Sequence, residues 1–214
     1  MTAPEGAEPV IHVTENGPYR VEGGIPVRNA DGEPVEAPSR YFLCRCGHSS
    51  NKPFCDGTHN KIGFAGEETA DQGPIAGRRD AYHGTGVTVY DDRSVCAHSG
   101  HCTDNLAAVF RLRTEPWIDA AGSDADSITA VIDTCPSGAL SYSRDGSEPV
   151  EEQSEPGVTP SKDGPYWIAG AVQVVSAEGD PYERRPRQTL CRCGGSKNKP
   201  FCDGTHWHIG FKAG

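Results

Sequence analysis

Residues 17–64 align with residues 164–211 at a constant offset of 147, without a gap. Gly17-Pro18-Tyr19 returns as Gly164-Pro165-Tyr166, and Ile62-Gly63-Phe64 as Ile209-Gly210-Phe211. The densest block is Leu43-Cys44-Arg45-Cys46-Gly47, followed by Asn51-Lys52-Pro53-Phe54-Cys55-Asp56-Gly57-Thr58-His59; it recurs as Leu190 to Gly194 and Asn198 to His206. A gapless repeat of this length means two copies of one structural unit. Any fold must therefore hold that unit twice, with a different segment between the copies.

Little apolar material is available to hold these units together. Hydrophobic residues make up 35% of the 214, while 26 Gly and 17 Pro supply about a fifth of the chain. Turns are then frequent and cores small. Small cores bury too little surface to offset chain entropy, and commonly rely on disulfides or metal. The nine cysteines are the obvious resource. A disulfide framework suits them poorly: the number is odd, the segment Met1 to Pro9 is polar rather than a secretory leader, and the cysteines fall in close groups with histidines nearby. The formal net charge of −10 repels nucleic acid and anionic membranes. No run of about 20 apolar residues exists to span a bilayer. The expectation is a cytoplasmic monomer with an internal pseudo-two-fold and neither nucleic acid nor membrane as partner.

Apolar stretches at Tyr19–Val21, Ile25–Val27 and Tyr41–Leu43, separated by Gly, Pro, Asn and Asp, predict short strands, repeated over Tyr166–Val175. Between the units, Val87–Tyr90 predicts a strand, Asn105–Phe110 a short helix, and Asp124–Thr134 a second helix. Ser123 is the expected cap of that second helix, which has Ile128, Val131 and Ile132 on one face. Ala139–Ser143 predicts a returning strand. Glu, Pro and Ser enrichment marks 146–162 as a linker, with a shorter one over 66–77. The expected organisation is module 1 at 10–66, a middle module at 82–145, and module 2 at 163–214.

Each repeat offers C-x-C-x8-C-x3-H: Cys44, Cys46, Cys55 and His59, then Cys191, Cys193, Cys202 and His206. Thiolates are soft donors that suit iron–sulfur clusters or zinc. The C-x-C pair can grip one metal from a tight loop, and Cys55 and His59, four apart, share one face of a helical turn. Asp56 and Asp203 are candidates to cap that turn, and Lys52 and Lys199 to place positive charge near it. Ligand count alone leaves zinc open. The longer pattern C-R-C-G-x-S-x-N-K-P-F-C-D-G-T-H resembles the CDGSH iron–sulfur family, with Thr58 and Thr205 in place of its usual Ser. The resemblance implies a β-rich fold, a [2Fe–2S] cluster on three Cys and one His in each unit, and pairing of the two units as an intramolecular pseudo-dimer. A histidine ligand would make such a site pH-sensitive and raise its potential.

Three cysteines remain, in Cys96-Ala97-His98-Ser99-Gly100-His101-Cys102 and Cys135-Pro136-Ser137-Gly138-Ala139-Leu140. Bacterial ferredoxins use C-x2-C-x2-C and a distant C-P; here Ser99 stands at the second position. The segment resembles a divergent single-cluster ferredoxin family. Three thiolates hold a [3Fe–4S] cluster outright, and a [4Fe–4S] cluster needs a fourth donor from His98, Ser99, His101 or water. The nine cysteines thus divide three, three and three.

The fold class expected is α+β: two small β-rich modules in a pseudo-dimer, with a small ferredoxin-like α+β module inserted between them. Two [2Fe–2S] clusters and one [3Fe–4S] cluster, or [4Fe–4S] in its place, point to single-electron traffic. No Rossmann fingerprint, P-loop or Gly-x-Ser-x-Gly element is present. The expected function is a relay between a reductase and an acceptor oxidoreductase, without substrate chemistry of its own. Cluster donation, redox or pH sensing, and a cluster-based reductase are the alternatives. Trp117, Trp167 and Trp207 are expected to serve core or interface packing.

Overall fold

The computed structural model of the chain describes residues 8–147 and 154–213. Module 1 comprises β1 (Val10–Val13), β2 (Tyr19–Glu22), β3 (Val27–Arg28), β4 (Pro34–Val35), β5 (Tyr41–Leu43) and α1 (Thr58–Lys61). The middle module follows with β6 (Asp80–His83), β7 (Val87–Asp91), α2 (His101–Asn105), α3 (Ala125–Asp133) and β8 (Leu140–Arg144). Module 2 contains β9 (Gly157–Pro160), β10 (Tyr166–Ala169), β11 (Gln173–Val175), β12 (Arg187–Leu190) and α4 (Thr205–His208). The architecture is α+β, with the two β-rich modules paired and the ferredoxin-like module inserted.

Strand alternation sets the inward faces. Ile11 and Val13 of β1, Tyr19 and Val21 of β2, and Tyr166 and Ile168 of β10 are all buried. Pairing, however, crosses the repeat. One sheet runs β11-β1-β2-β5, and the second runs β12-β10-β9-β3-β4. β11 of module 2 thus completes the sheet of module 1 in parallel register, with Ile11 opposite Val174. Reciprocally, β3 of module 1 joins module 2, with Val27 opposite Val158. These pairs are images of one another under the 147-residue offset. The modules exchange strands, so their shared core is one body rather than two surfaces in contact.

Two tyrosines fasten the exchange. The hydroxyl of Tyr19 reaches the carbonyls of Cys191 (2.9 Å) and Pro200 (3.0 Å). That of Tyr166 reaches the carbonyls of Cys44 and Pro53, both at 2.9 Å. Their rings meet edge to face, 6.2 Å apart. Both side chains are fully buried, and burial pushes both phenols well above their ordinary range.

The middle module forms its own antiparallel sheet, β6-β7-β8. Helix α3 packs Ile128 and Ile132 into the core with both side chains fully buried. Its cap is Asp124 rather than the expected Ser123: the carboxylate accepts the Ser127 amide at 2.9 Å. The expected helix at 105–110 lies earlier, at His101–Asn105, because Gly100 turns the chain with φ 82° and Leu106 leaves helical geometry with φ −148°. Two compositional linkers are also corrected. Residues 157–160 form β9, the counterpart of β1, so module 2 begins before 163; flanking polarity had concealed a four-residue strand. The 66–77 stretch is pinned to module 2, where the Thr69 and Ala70 amides donate to the Lys199 carbonyl.

Removing either tyrosine hydroxyl takes the donor from one buried carbonyl, that of Cys191 or Cys44, and one of two donors from that of Pro200 or Pro53. Tyr19→Phe and Tyr166→Phe should each cost about 1–3 kcal/mol, read by urea denaturation of the cluster-loaded protein. Values near zero would show that the cross-module bonds are unimportant.

Candidate metal centres

The repeated donors come together through a short antiparallel link. Leu43 bridges Phe54, the Cys44 amide donates to the Pro53 carbonyl at 2.8 Å, and the Cys55 amide donates to the Phe42 carbonyl at 2.9 Å. This folds the C-x-C loop against Cys55 and the short helix α1, which carries His59; Cys55 lies ahead of that helix rather than on a shared helical face as expected, because Gly57 turns the chain at φ 84°. Module 2 repeats it through Leu190 and Phe201. In each copy the two C-x-C sulfurs lie 3.8 Å apart. A tetrahedral metal with roughly 2.3 Å bonds to sulfur separates two thiolates by roughly 3.8 Å. Cys55 Sγ and His59 Nδ1 are 3.3 Å apart, as are Cys202 Sγ and His206 Nδ1. The donors therefore form two pairs per module. Paired thiolates and a Cys–His pair fit a two-iron cluster.

Local bonds set these pairs. Gly57 and Gly204 open the helices with φ 84° and 82°, and their amides point at the sulfurs of Cys55 (3.4 Å) and Cys202 (3.5 Å). Asp56 caps the turn from one residue further out, accepting from the Thr58 amide (3.0 Å) and from the Ser50 amide across the loop (2.8 Å). These hydrogen bonds hold its carboxyl well below the ordinary carboxylate range. Asp203 does the same with Thr205 and Lys197; burial opposes the shift, and the hydrogen bonds outweigh it. Lys52 donates to the Ser49 carbonyl and Lys199 to that of Ser196, so both lysines brace their own loops.

Arg45 and Arg192 were not singled out from sequence, although each fills the middle of its C-x-C. Both are 1% exposed. Arg45 donates to the carbonyls of Thr14, Gly17 and Gly66, and Arg192 to those of Ser161, Gly164 and Ala213. These partners are all neutral, and neither guanidinium joins an ion pair among the described residues. A buried cation is costly without a counter-charge. The adjacent cysteines would supply one as metal-bound thiolates. Burial pushes Cys46 and Cys55 up, and Cys202 up to about 12, so these thiols stay neutral until a metal takes their protons.

Cys96, Cys102 and Cys135 line one cavity of about 600 Å³, together with His98, Ser99 and His101. Cys96 follows a 3₁₀ turn, Cys102 lies in α2, and Cys135 ends α3, its amide donating to the Ile132 carbonyl at 2.9 Å. Burial raises Cys96, and raises Cys102 to about 11. Asp91, on the same cavity, also went unnoticed in the sequence. It is 3% exposed; Trp117 Nε1 donates to its Oδ2 at 3.1 Å, and Oδ1 meets no donor of the protein.

The three centres adjoin one another. At the pseudo-axis the C-x-C loops touch backbone to backbone: a Cβ on Gly47 would lie 2.7 Å from the Cys193 carbonyl oxygen, and one on Gly194 2.8 Å from that of Cys46. His98 packs on Gly204, where a Cβ would come within 3.1 Å of it. Repetition does not make the two copies equivalent. Cys55 and His59 are half-buried, whereas Cys202 and His206 are 2% and 4% exposed.

Burial pushes the Asp91 carboxyl up to about 6, through lost hydration and against the pull of Arg93 and Trp117. An acid raised this way costs stability once ionised: the loss is absent below pH ~4 and complete above pH ~6, up to roughly 3 kcal/mol. Asp91→Asn keeps an acceptor for Trp117 and should stabilise the loaded protein at pH 7, with a smaller gain at pH 5, measured by urea denaturation. Equal gains at both pH values would trace the effect to packing instead of charge.

Comparison with known proteins agrees with this arrangement. Residues 16–60 and 163–207 match the family described as "Iron-binding zinc finger CDGSH type", and residues 82–145 match "Divergent 4Fe-4S mono-cluster". "Uncharacterized protein YjdI" of Escherichia coli strain K12 is 40% identical over 72 residues, 34% of this chain and 95% of the relative. The protein of the same name from Escherichia coli O157:H7 matches with the same figures. The paired donors, the repeat and these matches lead to one assignment: the chain belongs to the CDGSH-type iron-binding family, carrying that domain twice around a divergent 4Fe-4S mono-cluster domain.

Proposed function

We propose that this iron–sulfur protein is a three-centre electron carrier. Cys44 and Cys46 hold one iron of a [2Fe–2S] cluster and Cys55 and His59 the other; Cys191, Cys193, Cys202 and His206 repeat the arrangement. Cys96, Cys102 and Cys135 hold the middle cluster. As [3Fe–4S] it needs no further ligand; as [4Fe–4S] it draws on His98, Ser99 or His101, which line the same cavity. Such clusters supply one-electron exchange. The observation that carries the reading is adjacency. The two C-x-C loops are in backbone contact, and His98, between Cys96 and Cys102, packs on Gly204, between Cys202 and His206. The order is then module 1, module 2, middle module, with a reductase and an acceptor oxidoreductase as partners and a monomer as the working unit.

Cluster delivery is a second reading, favoured by the half-buried Cys55 and His59. It requires the module 1 cluster to leave for an apo-acceptor before the buried module 2 cluster does.

Low-temperature EPR of anaerobically purified, mildly oxidised protein tests the assignment, since oxidised [2Fe–2S] centres are silent. A near-isotropic signal integrating to about one spin per chain identifies [3Fe–4S]. Silence with full iron and sulfide identifies [4Fe–4S]; silence with little sulfide overturns the reading. Cys135→Ala should remove the middle cluster alone. His59→Cys and His206→Cys should keep their clusters at lower, pH-independent potentials, and persisting pH dependence in the double variant would exclude the histidines as its source. A reductase that cycles the protein without iron loss supports carriage, whereas transfer of iron to an apo-acceptor supports delivery.

A further inference from the structure

Module 2 holds the middle module through a few anchors. Arg187 donates to the carbonyls of Ile132, at 3.0 Å, and Asp133, where α3 ends. A cation suits that position, because the last carbonyls of a helix are unpaired and carry its negative dipole end. Asn198 Nδ2 donates to the Ser94 carbonyl at 2.6 Å. Gly204 receives the ring of His98, and Trp167 meets His101 edge to face at 5.6 Å.

The 147-residue offset carries these anchors onto module 1 as Arg40, Asn51, Gly57 and Arg20. Three of the four are the same residue. Asn51 and Gly57 belong to the cysteine motif, but Arg40 lies outside it, so cluster chemistry does not explain its recurrence. All three are uncovered. The Arg40 side chain is 63% exposed, with a loose 3.5 Å pair to Glu22. Asn51 is exposed, and nothing lies within 4 Å of a Cβ placed on Gly57. Arg20, in place of Trp167, adds a second cation, which pairs loosely with the same Glu22 at 3.5 Å.

We propose that this face of module 1 is a docking surface for a separate ferredoxin-like, single-cluster protein. Such a partner would present a helix C-terminus to Arg40 and a cysteine loop to Gly57, as the middle module presents α3 and the 96–102 loop to module 2. Charge agrees: the middle module carries nine Asp and Glu against four Arg over residues 82–145, and Arg20 and Arg40 suit a similarly acidic partner. A second copy of this chain does not fit, because its own module 2 already takes up its α3 terminus and its 96–102 loop. The proposal rests on the carrier reading and names the class of redox partner that meets the more exposed centre.

The test is a titration at low ionic strength. The full cluster-loaded chain is titrated by calorimetry with a purified single-domain protein of the divergent 4Fe-4S mono-cluster type, and hydrogen exchange maps the contact. Saturable binding is expected, with protection around Arg40, Asn51 and Gly57 and weakening as salt rises. Arg40→Glu should weaken it by about tenfold or more and Asn51→Ala by less, both with cluster content intact. Lys212→Glu, remote in the motif and paired to Asp163, should leave it unchanged. Absence of binding, binding indifferent to Arg40→Glu, or self-association of the chain abolished by Arg40→Glu would each overturn the proposal. Binding is read without electron transfer, so the two readings fail separately: a complex that passes no electrons sinks the carrier, and a working carrier that binds no such protein sinks the surface.

Discussion

Four carbonyls at the heart of the molecule take a hydrogen bond from the other module, and for two of them, Cys44 and Cys191, it is the hydrogen bond that satisfies them. Cys44, Pro53, Cys191 and Pro200 lie in the loops that present the sulfur donors, and the hydroxyls that reach them come from Tyr19 and Tyr166 across the pseudo-axis. A buried carbonyl without a donor is expensive, so neither loop has an independent low-energy form. The parallel pairings of β1 with β11 and of β3 with β9 impose the same dependence on the sheets. Duplication has produced a unit whose halves complete each other, and the donor loops inherit their rigidity from that pairing.

Charge forms the second layer of the design. Arg45 and Arg192 sit buried between paired cysteines, surrounded by neutral carbonyls and by the rings of Tyr19, Phe64, Tyr166 and Phe211. Burial pushes the Cys46 thiol beside Arg45 toward its neutral form, whereas the hydrogen bond with Cys191 brings Cys193 beside Arg192 down. Arg45 and Cys46 are thus each held in an environment that disfavours the metal-free state, and an anionic cluster would relieve both. Metal binding and folding would then be coupled through electrostatics as well as through ligand bonds.

The inserted module breaks the symmetry that the repeat creates. By settling on module 2 it closes off Cys202 and His206, and leaves Cys55 and His59 in partial contact with solvent. One internal interface turns two chemically identical sites into an interior centre and a peripheral one. No substitution among the repeated Cys and His residues was required to produce that difference.

Much of this could be read from residues in order. Offset, donor spacing and the C-P-S-G-A-L segment depend on neighbours close along the chain, and so do the strands around Tyr19, Tyr41 and Tyr166, because alternation and turn chemistry are local. The sequence alone thus determined the repeat, the three donor sets and the α+β character. Strand partners were not local: β1 and β2 bear the same alternation whether they pair within a module or exchange with the other. The short strand at 157–160 hid in polar flanks, and the cap at Asp124 depended on which neighbouring oxygen met the Ser127 amide. Arg45 and Asp91 carry no composition signal, because what distinguishes them is burial. Tertiary structure decided the exchange of strands, the isolation of two cations and a carboxylate from water, and the covering of one donor set but not its twin. The exchange and the covering pair residues more than a hundred positions apart, and Arg45, Arg192 and Asp91 are enclosed by partners 21 to 31 positions away, separations that no local pattern encodes.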